Sequence, residues 1–284
     1  MVRMGVCIHS TDPKKVQALK GFGSLRLDLF HSVVSRRYGM FDYSAYDPWY
    51  RACLASGVKP LFVLFLENPN IWQGAGRYVP DDAKALKIVE DFCCQTARQY
   101  PKAEWEVVNE PNWAKSMKGF AWTPVHYARL AKAALQGIRT VSKERVWLGA
   151  LANEAGSDQP DVAFLQKMLM DASMGGGDLW RCLDENTGLS FHPYTLYIPE
   201  GRYRYTDLVR FHSAEMVLVD KEYPIVYTEW GYRDAWCSAL GVDKGMLLKR
   251  ILDVGEQDGV PIWLYSWDDP TGEGFGIEGV RIPV

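Results

Sequence analysis

Two glutamates that end short apolar segments are the residues in this sequence best placed to do chemistry. Glu110 ends the segment Trp105-Glu-Val-Val-Asn-Glu110 and precedes Pro111, which cannot continue a strand ladder. Glu229 ends a second segment, Tyr223-Pro-Ile-Val-Tyr-Thr-Glu229, before a Trp-Gly turn. Either glutamate alone could simply cap the next helix. A facing pair, however, can break an acetal, because one carboxyl donates a proton while the other stabilises or traps the cation.

The elements that must position these glutamates alternate along the chain. Eight apolar segments predict strands, at Val2–Ile8, Ser24–Asp28, Lys59–Leu66, Trp105–Asn109, Arg145–Leu151, Gly188–His192, Ile225–Thr228 and Val260–Tyr265. Helices are predicted between them at Asp12–Lys20, Tyr43–Ser56, Asp81–Gln99, Pro124–Val141, Pro160–Asp171, Asp207–Leu218 and Lys244–Gln257. This alternation predicts a (β/α)8 TIM barrel of the α/β class. A doubly wound open sheet is the alternative, but no glycine-rich phosphate turn follows the first strand.

Length and charge limit the domain organisation and the partners. The 284 residues fit one barrel domain, residues 1–284, and little sequence remains after the eighth strand for an appended β-sandwich. The net charge of −3, without clustered Lys or Arg, does not favour nucleic acid or an anionic membrane as partner. No apolar run reaches the roughly 20 residues that a membrane span needs, and no signal peptide is visible. We expect a monomer, either cytoplasmic or lacking a leader that was removed.

Cysteine and histidine usage argues against a metal or other cofactor. The six cysteines show no metal-ligand spacing, so buried free thiols are expected. A metal-dependent barrel hydrolase would need clustered histidines, whereas the chain has five and no His-x-His motif. A sugar-binding barrel without catalysis is a further alternative. We therefore expect neither a metal nor an organic cofactor.

Polar residues gather where the predicted strands end, which is where barrels of this type place their reactive groups. These residues are His9, Arg26, Asp28, Glu67, Asn109, Glu110, Asn153, His192, Tyr194, Glu229 and Trp267. Arg26 stands inside an apolar segment and needs a carboxylate partner, because an unpaired buried guanidinium is too costly. That partner is either Asp28 or a neighbour, or one of the two strand-end glutamates.

Four motifs carry a resemblance to a known family. They are Trp105-Glu-Val-Val-Asn-Glu-Pro-Asn112, Thr228-Glu-Trp-Gly231, Leu25-Arg-Leu-Asp28 and Phe191-His-Pro-Tyr194. With them the chain resembles the retaining glycoside hydrolases of clan A, and within that clan it is most similar to glycoside hydrolase family 39 and related endoglycosidases. The resemblance covers most of the chain and implies cleavage of β-glycosidic bonds in an oligo- or polysaccharide.

The resemblance also implies roles for the matching residues. Glu110 corresponds to the acid/base and Glu229 to the nucleophile of a double displacement. The negative charge of Glu229 is expected to raise the pKa of Glu110 until a glycosyl-enzyme forms. The supporting residues are Arg26, paired with the nucleophile; Asn109, which binds the substrate 2-hydroxyl; His192 and Tyr194, which line the site; and Trp267, which forms the floor of the sugar site.

Tryptophans in the predicted loops could bind further sugars. Trp72, Trp113, Trp122 and Trp236 lie in these loops, where each could stack on a sugar ring or pack in the core. Aromatic loops after the third and fourth strands favour an open cleft and therefore endo-action. A pocket closed by the same loops, and thus exo-action, is the alternative.

Overall fold

Eight parallel strands form a closed barrel in the computed structural model, which describes residues 4–72, 79–113, 122–152, 161–170, 179–182, 184–192, 194, 224–269 and 272–282. The strands are β1 Met4–Ile8, β2 Ser24–Phe30, β3 Lys59–Phe65, β4 Glu104–Val107, β5 Val146–Ala152, β6 Thr187–His192, β7 Ile225–Trp230 and β8 Ile262–Leu264. β8 closes the barrel by pairing with β1, with Met4 opposite Ile262. The predicted (β/α)8 barrel is confirmed. The open-sheet alternative is wrong, because an open sheet has two unpaired edge strands and the pairing of β1 with β8 leaves none here.

Eight α-helices lie in the part of the chain that the structure describes. They are α1 Pro13–Ala18, α2 His31–Val34, α3 Asp47–Ala55, α4 Ala83–Gln99, α5 Pro124–Arg139, α6 Asp161–Met170, α7 Asp234–Leu240 and α8 Lys244–Asp258. A 3₁₀ turn spans Leu179–Cys182. Within these described ranges, none of the helices combines the length and apolarity that crossing a membrane requires.

Most predicted helices agree with the structure to within a few residues. α3 is an exception at its start, because it begins at Asp47 rather than Tyr43, with Pro48 in its first turn. The short helices α2 and α7 were not predicted. The helix predicted at 207–218 lies outside the described residues.

Side-chain caps explain where several helices begin. The side chains of Asp12, Asp82, Thr123 and Asp243 accept hydrogen bonds from backbone amides in the first turns of α1, α4, α5 and α8. Each cap satisfies a donor that the helix itself cannot pair. The helices therefore start at residues that the sequence marks clearly.

Alternation along the strands separates an outer apolar layer from a mixed barrel interior. On β2, Leu25, Leu27 and Leu29 pack into the main hydrophobic core between strands and helices. The intervening side chains point into the barrel, because successive strand residues face opposite sides. One of them is Arg26, which is buried. A small apolar cluster fills part of the interior and consists of Cys7, Leu61, Trp147, Val226 and Trp263.

The six cysteines are all free thiols. Cys7, Cys53, Cys93 and Cys237 are buried, and Cys94 and Cys182 are partly buried. Burial raises the pKa of the Cys53 thiol to about 12, so this group stays protonated and packs as a small apolar side chain.

The two longest of the described helices, α4 and α5, approach closely at Gly137. A Cβ atom at position 137 would overlap the carbonyl oxygen of Glu90 and lie 3.0 Å from the amide nitrogen of Cys94. Both of these atoms belong to the backbone of α4, which cannot move aside without shifting the helix. The absence of a side chain at position 137 thus sets the distance between the two helices.

Replacing Gly137 with Ala is expected to destabilise the protein. The steric cost of overpacking, roughly 1–3 kcal/mol, opposes the roughly 1 kcal/mol by which Ala exceeds Gly in helix propensity, and here the clash involves rigid backbone. We expect the free energy of unfolding in urea to fall. Gly21→Ala is the matched control, since no atom lies within 4 Å of its added Cβ, and it should stay within about 0.5 kcal/mol of the parent protein.

Candidate active site

The chain leaves β4 through an unusual backbone path that carries Glu110. Val108 and Glu110 have φ angles of 66° and 48°, in the left-handed region that non-glycine residues rarely adopt. The amide of Glu110 donates to the carbonyl of Ala150 at 3.0 Å. The side-chain amide of Asn112 forms two hydrogen bonds with the backbone of Ala152, at 2.8 and 2.9 Å. Because β5 binds this segment at two places, it can hold the strained conformation that aims Glu110.

Glu229 lies near the C-terminal end of β7, in an irregular part of the sheet. The register between β7 and β8 shifts between Tyr227 and Trp230. Glu229 is 7% exposed and Glu110 is 6% exposed, so both carboxyls are largely removed from water. The barrel closure therefore brings two buried carboxyls, distant in sequence, to the same end of the barrel.

Arg26 of β2 connects these strands through its guanidinium. Its Nη1 donates to Glu229 Oε1 at 2.6 Å, and its Nη2 donates to Asn109 Oδ1 at 2.8 Å. Nη2 also donates to Glu106 Oε1, which gives a second ion pair inside the barrel. Of the two alternatives left open for Arg26, the structure shows the pairing with a strand-end glutamate. Asp28 instead lies 3.9 Å from Nδ1 of His9.

His192, at the end of β6, lies between the two strand-end carboxyls. Its Nδ1 is 3.0 Å from Glu110 Oε1 and 3.6 Å from Glu229 Oε2. Its Nε2 is 3.2 Å from the hydroxyl oxygen of Thr228. The imidazole is fully buried. Glu110 and His192 are thus in position to share one proton along the Nδ1–Oε1 line.

The hydroxyl of Tyr194 completes the surroundings of Glu229. It donates to Glu229 Oε2 at 3.0 Å, so the two carboxylate oxygens each accept a hydrogen bond, one from Arg26 and one from Tyr194. Burial raises the pKa of the Tyr194 hydroxyl well above its usual range, as does the adjacent charge of Glu229. Tyr194 therefore remains a donor at any physiological pH.

The charges in this cluster keep Glu229 ionised. Burial by itself raises the pKa of Glu229, but His192, Arg26 and the Tyr194 hydroxyl outweigh burial and lower the pKa below its usual range. Burial lowers the pKa of His192, whereas the charge of Glu229 and the hydrogen bond with Glu110 raise it, and the net direction is upward. In this site an ionised Glu229 therefore lies beside Glu110 and His192, which together hold a proton.

The two carboxyl groups are close enough to act on one atom from both sides. One ligand atom each from Glu110, His192 and Glu229 lies within 4.8 Å of the others. Such a trio could in principle bind a divalent cation. Both oxygens of Glu229 already accept hydrogen bonds, however, and the nearby Arg26 guanidinium would repel a cation. The arrangement fits a carboxyl pair better than a metal centre.

Tyr265, which follows β8, is an aromatic residue beside the carboxyl cluster that the sequence did not single out. Trp267 is partly buried and packs its ring against Phe22, with centroids 6.4 Å apart. The ring of Tyr265 contacts those of His9 and Tyr194, at 5.6 and 6.1 Å. Burial raises the pKa of Tyr265 above its usual range, and the charge of Glu229 adds to this rise. Trp267 lies three residues beyond the observed end of β8 at Leu264, and its role in sugar binding stays a prediction.

The other tryptophans proposed for sugar binding divide into two groups. Trp72 is 8% exposed and its indole donates to the carbonyl of Leu66 at 3.2 Å, so it packs in the core with little surface left for a sugar. Trp122 is fully buried as well. Trp113 is only partly buried, and its amide donates to the carbonyl of Glu110. Trp236 packs against Phe275 and beneath the guanidinium of Arg233.

Three predicted strand-end residues remain. Asn109 is partly buried, and its side-chain oxygen accepts a hydrogen bond from the Arg26 guanidinium that also pairs with Glu229. Glu67 is 5% exposed at the end of β3. Asn153 lies outside the described residues.

Two residues that orient the site were not singled out from the sequence. Glu106 pairs with Arg26, and Asn112 ties the segment after Glu110 to β5. The argument made for Arg26, that a charge inside an apolar strand needs a partner, applies equally to Glu106 and could have found it. No sequence signal distinguishes the role of Asn112 from an ordinary loop asparagine.

Known structures share this fold at low sequence identity. No family model and no curated protein sequence matches the chain. A family 39 glycoside hydrolase from Bacteroides cellulosilyticus aligns over 96% of this chain and 59% of its own length, with 18% identity and a TM-score of 0.68. An endo-β-1,4-glucanase from Xanthomonas axonopodis aligns over 100% and 96%, with 14% identity and a TM-score of 0.65. The catalytic domain of a Streptomyces mannanase aligns over 98% and 79%, with 15% identity and a TM-score of 0.58.

These likenesses establish the fold. The chain spans 59% of the length of the family 39 structure. At these identities, what each neighbour acts on does not transfer to this chain without argument from the site itself.

Removing Arg26 is expected to destabilise the protein in a pH-dependent way. Arg26→Met leaves Glu106 and Glu229 buried without their partner, which should lower the free energy of unfolding at pH 7 by about 3–5 kcal/mol. In the parent protein Arg26 helps to lower the pKa of Glu229, so this stabilisation is present above the pKa of an unfolded glutamate and is lost as pH falls. Urea unfolding should therefore show a smaller loss at about pH 4 than at pH 7.

Arg139→Met is the matched control. Arg139 is partly buried and donates to the carbonyls of Glu144 and Asn186, at 2.6 and 2.7 Å, neither of which titrates. Its loss should depend less on pH than the loss of Arg26, because its hydrogen bonds go to groups that do not titrate and the charge of Asp184 only adds to them. An Arg26→Met penalty that depends no more on pH than this control would contradict the assigned ion pairs.

Proposed function

We propose that this protein is a retaining glycoside hydrolase that cleaves β-glycosidic bonds of an oligo- or polysaccharide by double displacement. The observation that carries the proposal is the pair of buried carboxyls, Glu110 and Glu229, with ligand oxygens no more than 4.8 Å apart at the C-terminal end of the barrel. Retaining glycosidases hold their carboxyls about 5–5.5 Å apart, whereas inverting enzymes need roughly 6.5–9.5 Å to admit a water. Their environments differ as the chemistry requires, since Glu229 is paired with the guanidinium of Arg26 and Glu110 contacts the imidazole of His192.

In the first step Glu229 attacks and Glu110 protonates. A carboxylate oxygen of Glu229 forms a bond to the anomeric carbon while the bond to the leaving-group oxygen breaks. The proton held by the Glu110–His192 pair passes to that leaving oxygen, which departs as an alcohol. The product is a glycosyl ester on Glu229, and Glu110 is now ionised.

In the second step Glu110 acts as a base. Formation of the ester removes the negative charge from Glu229, so the reason for Glu110 to keep its proton disappears. Glu110 takes a proton from a water molecule, whose oxygen attacks the anomeric carbon and displaces the Glu229 carboxylate. Two inversions at one carbon return the sugar with its original configuration.

The neighbouring side chains support each step through Glu229 and Glu110. Arg26 and Tyr194 bind the two oxygens of Glu229 and orient it for attack. His192 contacts Glu110 and keeps the proton close to Oε1. Asn109, whose oxygen accepts a hydrogen bond from Arg26, binds a sugar hydroxyl next to the anomeric carbon. Trp113 and Tyr265 are both partly exposed and offer aromatic surface on which a sugar ring can stack.

We infer endo-action on a β-linked polysaccharide as the finer function. The neighbours include an endo-β-1,4-glucanase and a mannanase, which supports a polysaccharide substrate. The burial of Trp72 and Trp122 favours core packing for these two loop residues, so an open cleft depends on other side chains. Product lengths from a panel of β-glucans, xylans and mannans decide the matter: internal cleavage yields a range of oligosaccharides early, and exo-action yields a single short product throughout.

Neutralising either glutamate should abolish turnover. Glu229→Gln removes the attacking carboxylate and Glu110→Gln removes the proton donor, and each should lower kcat/KM on the best polysaccharide of the panel by at least about a thousandfold. Glu273→Gln is the control, because Glu273 is an exposed carboxylate that pairs with Arg233 rather than with Arg26 or His192. It should keep the parent rate. Near-parental turnover by Glu229→Gln would refute the assignment, and binding without turnover by the parent protein would favour a sugar-binding barrel.

The stereochemistry of the product provides an independent prediction. Because both carboxyls lie too close to admit a water between Glu229 and the sugar, the first product released should carry the β-configuration of the substrate. Proton NMR of the anomeric signals during the first minutes, before mutarotation, measures this directly. An α-anomer appearing first would indicate inversion and would exclude the covalent intermediate.

A further inference from the structure

Arg26 forms ion pairs with two buried carboxylates. One guanidinium nitrogen, Nη1, donates to Glu229 at 2.6 Å, and the other, Nη2, donates to Glu106. Nη2 also reaches Asn109 at 2.8 Å. Arg26 is 2% exposed and Glu106 is fully buried, so water screens neither ion pair. The result is a row of alternating charges, Glu106–Arg26–Glu229, that crosses the barrel from β4 through β2 to β7.

The presence of a carboxylate at position 106 is not explained by the fold. Among the described residues, Oε2 of Glu106 has no hydrogen-bond partner although it is buried. The strand residues paired with Glu106 are Val63 of β3 and Trp147 of β5, and an apolar side chain would suit that interior without the cost of burying a charge. Since Arg26 already has Glu229 as its counter-charge, a second carboxylate must serve something other than neutralisation.

We propose that Glu106 is a positioning residue for Glu229 that acts through Arg26. By pairing with the guanidinium, Glu106 holds it in place and weakens its attraction for Glu229. Glu229 is then ionised but still reactive enough to attack. This inference rests on the proposed glycosidase function and extends it to a residue that does not itself touch the sugar. A carboxylate bound by an arginine that has no other partner would be held more strongly and would therefore be a weaker nucleophile.

Other titratable groups face the same cluster and must be kept constant in any test. They come from β1, β2 and the ends of β4, β6 and β8, and are Cys7, His9, Asp28, Glu110, His192, Tyr194 and Tyr265. Only Glu106 and Glu229 form ion pairs with Arg26 within the described part of the chain. A substitution confined to Glu106 thus changes one charge in an otherwise constant set.

The test compares Glu106→Gln with Glu104→Gln. Glutamine keeps an oxygen that can accept from Arg26 but removes the charge. Glu104 is the matched control, because it is buried on the same strand and contacts Trp147 at 3.3 Å instead of Arg26. The readout is kcat/KM against pH on the p-nitrophenyl β-glycoside that the parent protein cleaves fastest.

We expect the acidic limb of the Glu106→Gln profile to move to lower pH. Removing one negative charge, and leaving Arg26 to Glu229 alone, favours the ionised form of Glu229 and should shift the limb by about one pH unit. At the optimum, kcat should fall by up to about tenfold, since one pH unit corresponds to a tenfold change in equilibrium. Glu104→Gln should keep the parental limb. Glu106→Asp retains the charge on a side chain that is shorter by one methylene. Its acidic limb should lie between those of the parent and Glu106→Gln.

Two outcomes would overturn the proposal. If Glu106→Gln folds and its limb coincides with those of the parent and Glu104→Gln, Glu106 is structural only. If Glu106→Gln fails to fold, as judged by circular dichroism, Glu106→Asp decides instead, and an unshifted limb in that variant refutes the role.

A measurement without turnover separates this inference from the proposed function. Titration of carbon-13-labelled glutamate carboxyls by NMR, with the Glu229 signal assigned by its loss in Glu229→Gln, reports the protonation of Glu229 directly. Glu106→Gln should move this titration to lower pH even if no substrate is ever cleaved. A parent protein that is inactive on every glycoside would refute the glycosidase function, whereas an unmoved Glu229 titration would refute the role of Glu106.

Discussion

The buried guanidinium of Arg26 is the interaction on which the rest of the site depends. It joins β2 to β4 through Glu106 and to β7 through Glu229, and it holds Asn109 at the end of β4. A buried arginine is tolerated only when its charge is compensated and its donors are used. Closing the barrel places these strands around a common interior, so the ion pairs and the closed sheet require each other.

The backbone supplies a second constraint, at the exit of β4. Left-handed φ angles at Val108 and Glu110 are unfavourable in isolation, and their persistence implies that surrounding contacts compensate for them. The double hydrogen bond of Asn112 to Ala152 and the bond of the Glu110 amide to Ala150 are such contacts, and all of them come from β5. The direction of the Glu110 carboxyl is therefore set by the neighbouring strand rather than by its own.

Much of the architecture was predictable because its causes are local. Asp82 and Thr123 mark helix starts through their side-chain caps, and the alternation of leucines on β2 marks a strand with one face on the core. Contacts that depend on packing were less predictable. The sequence did not single out Tyr265, which follows β8 and contacts the ring of Tyr194.

By itself the sequence determined the order of strands and helices, and it marked Glu110 and Glu229 as strand-end carboxyls, because apolar periodicity, prolines and caps act over a few residues. Only the tertiary structure decided which charges meet. That Arg26 pairs with Glu106 and Glu229 rather than with Asp28, and that His192 lies between both strand-end carboxyls, follows from the register and closure of the barrel. Those contacts join residues up to 203 positions apart, and no local pattern encodes them.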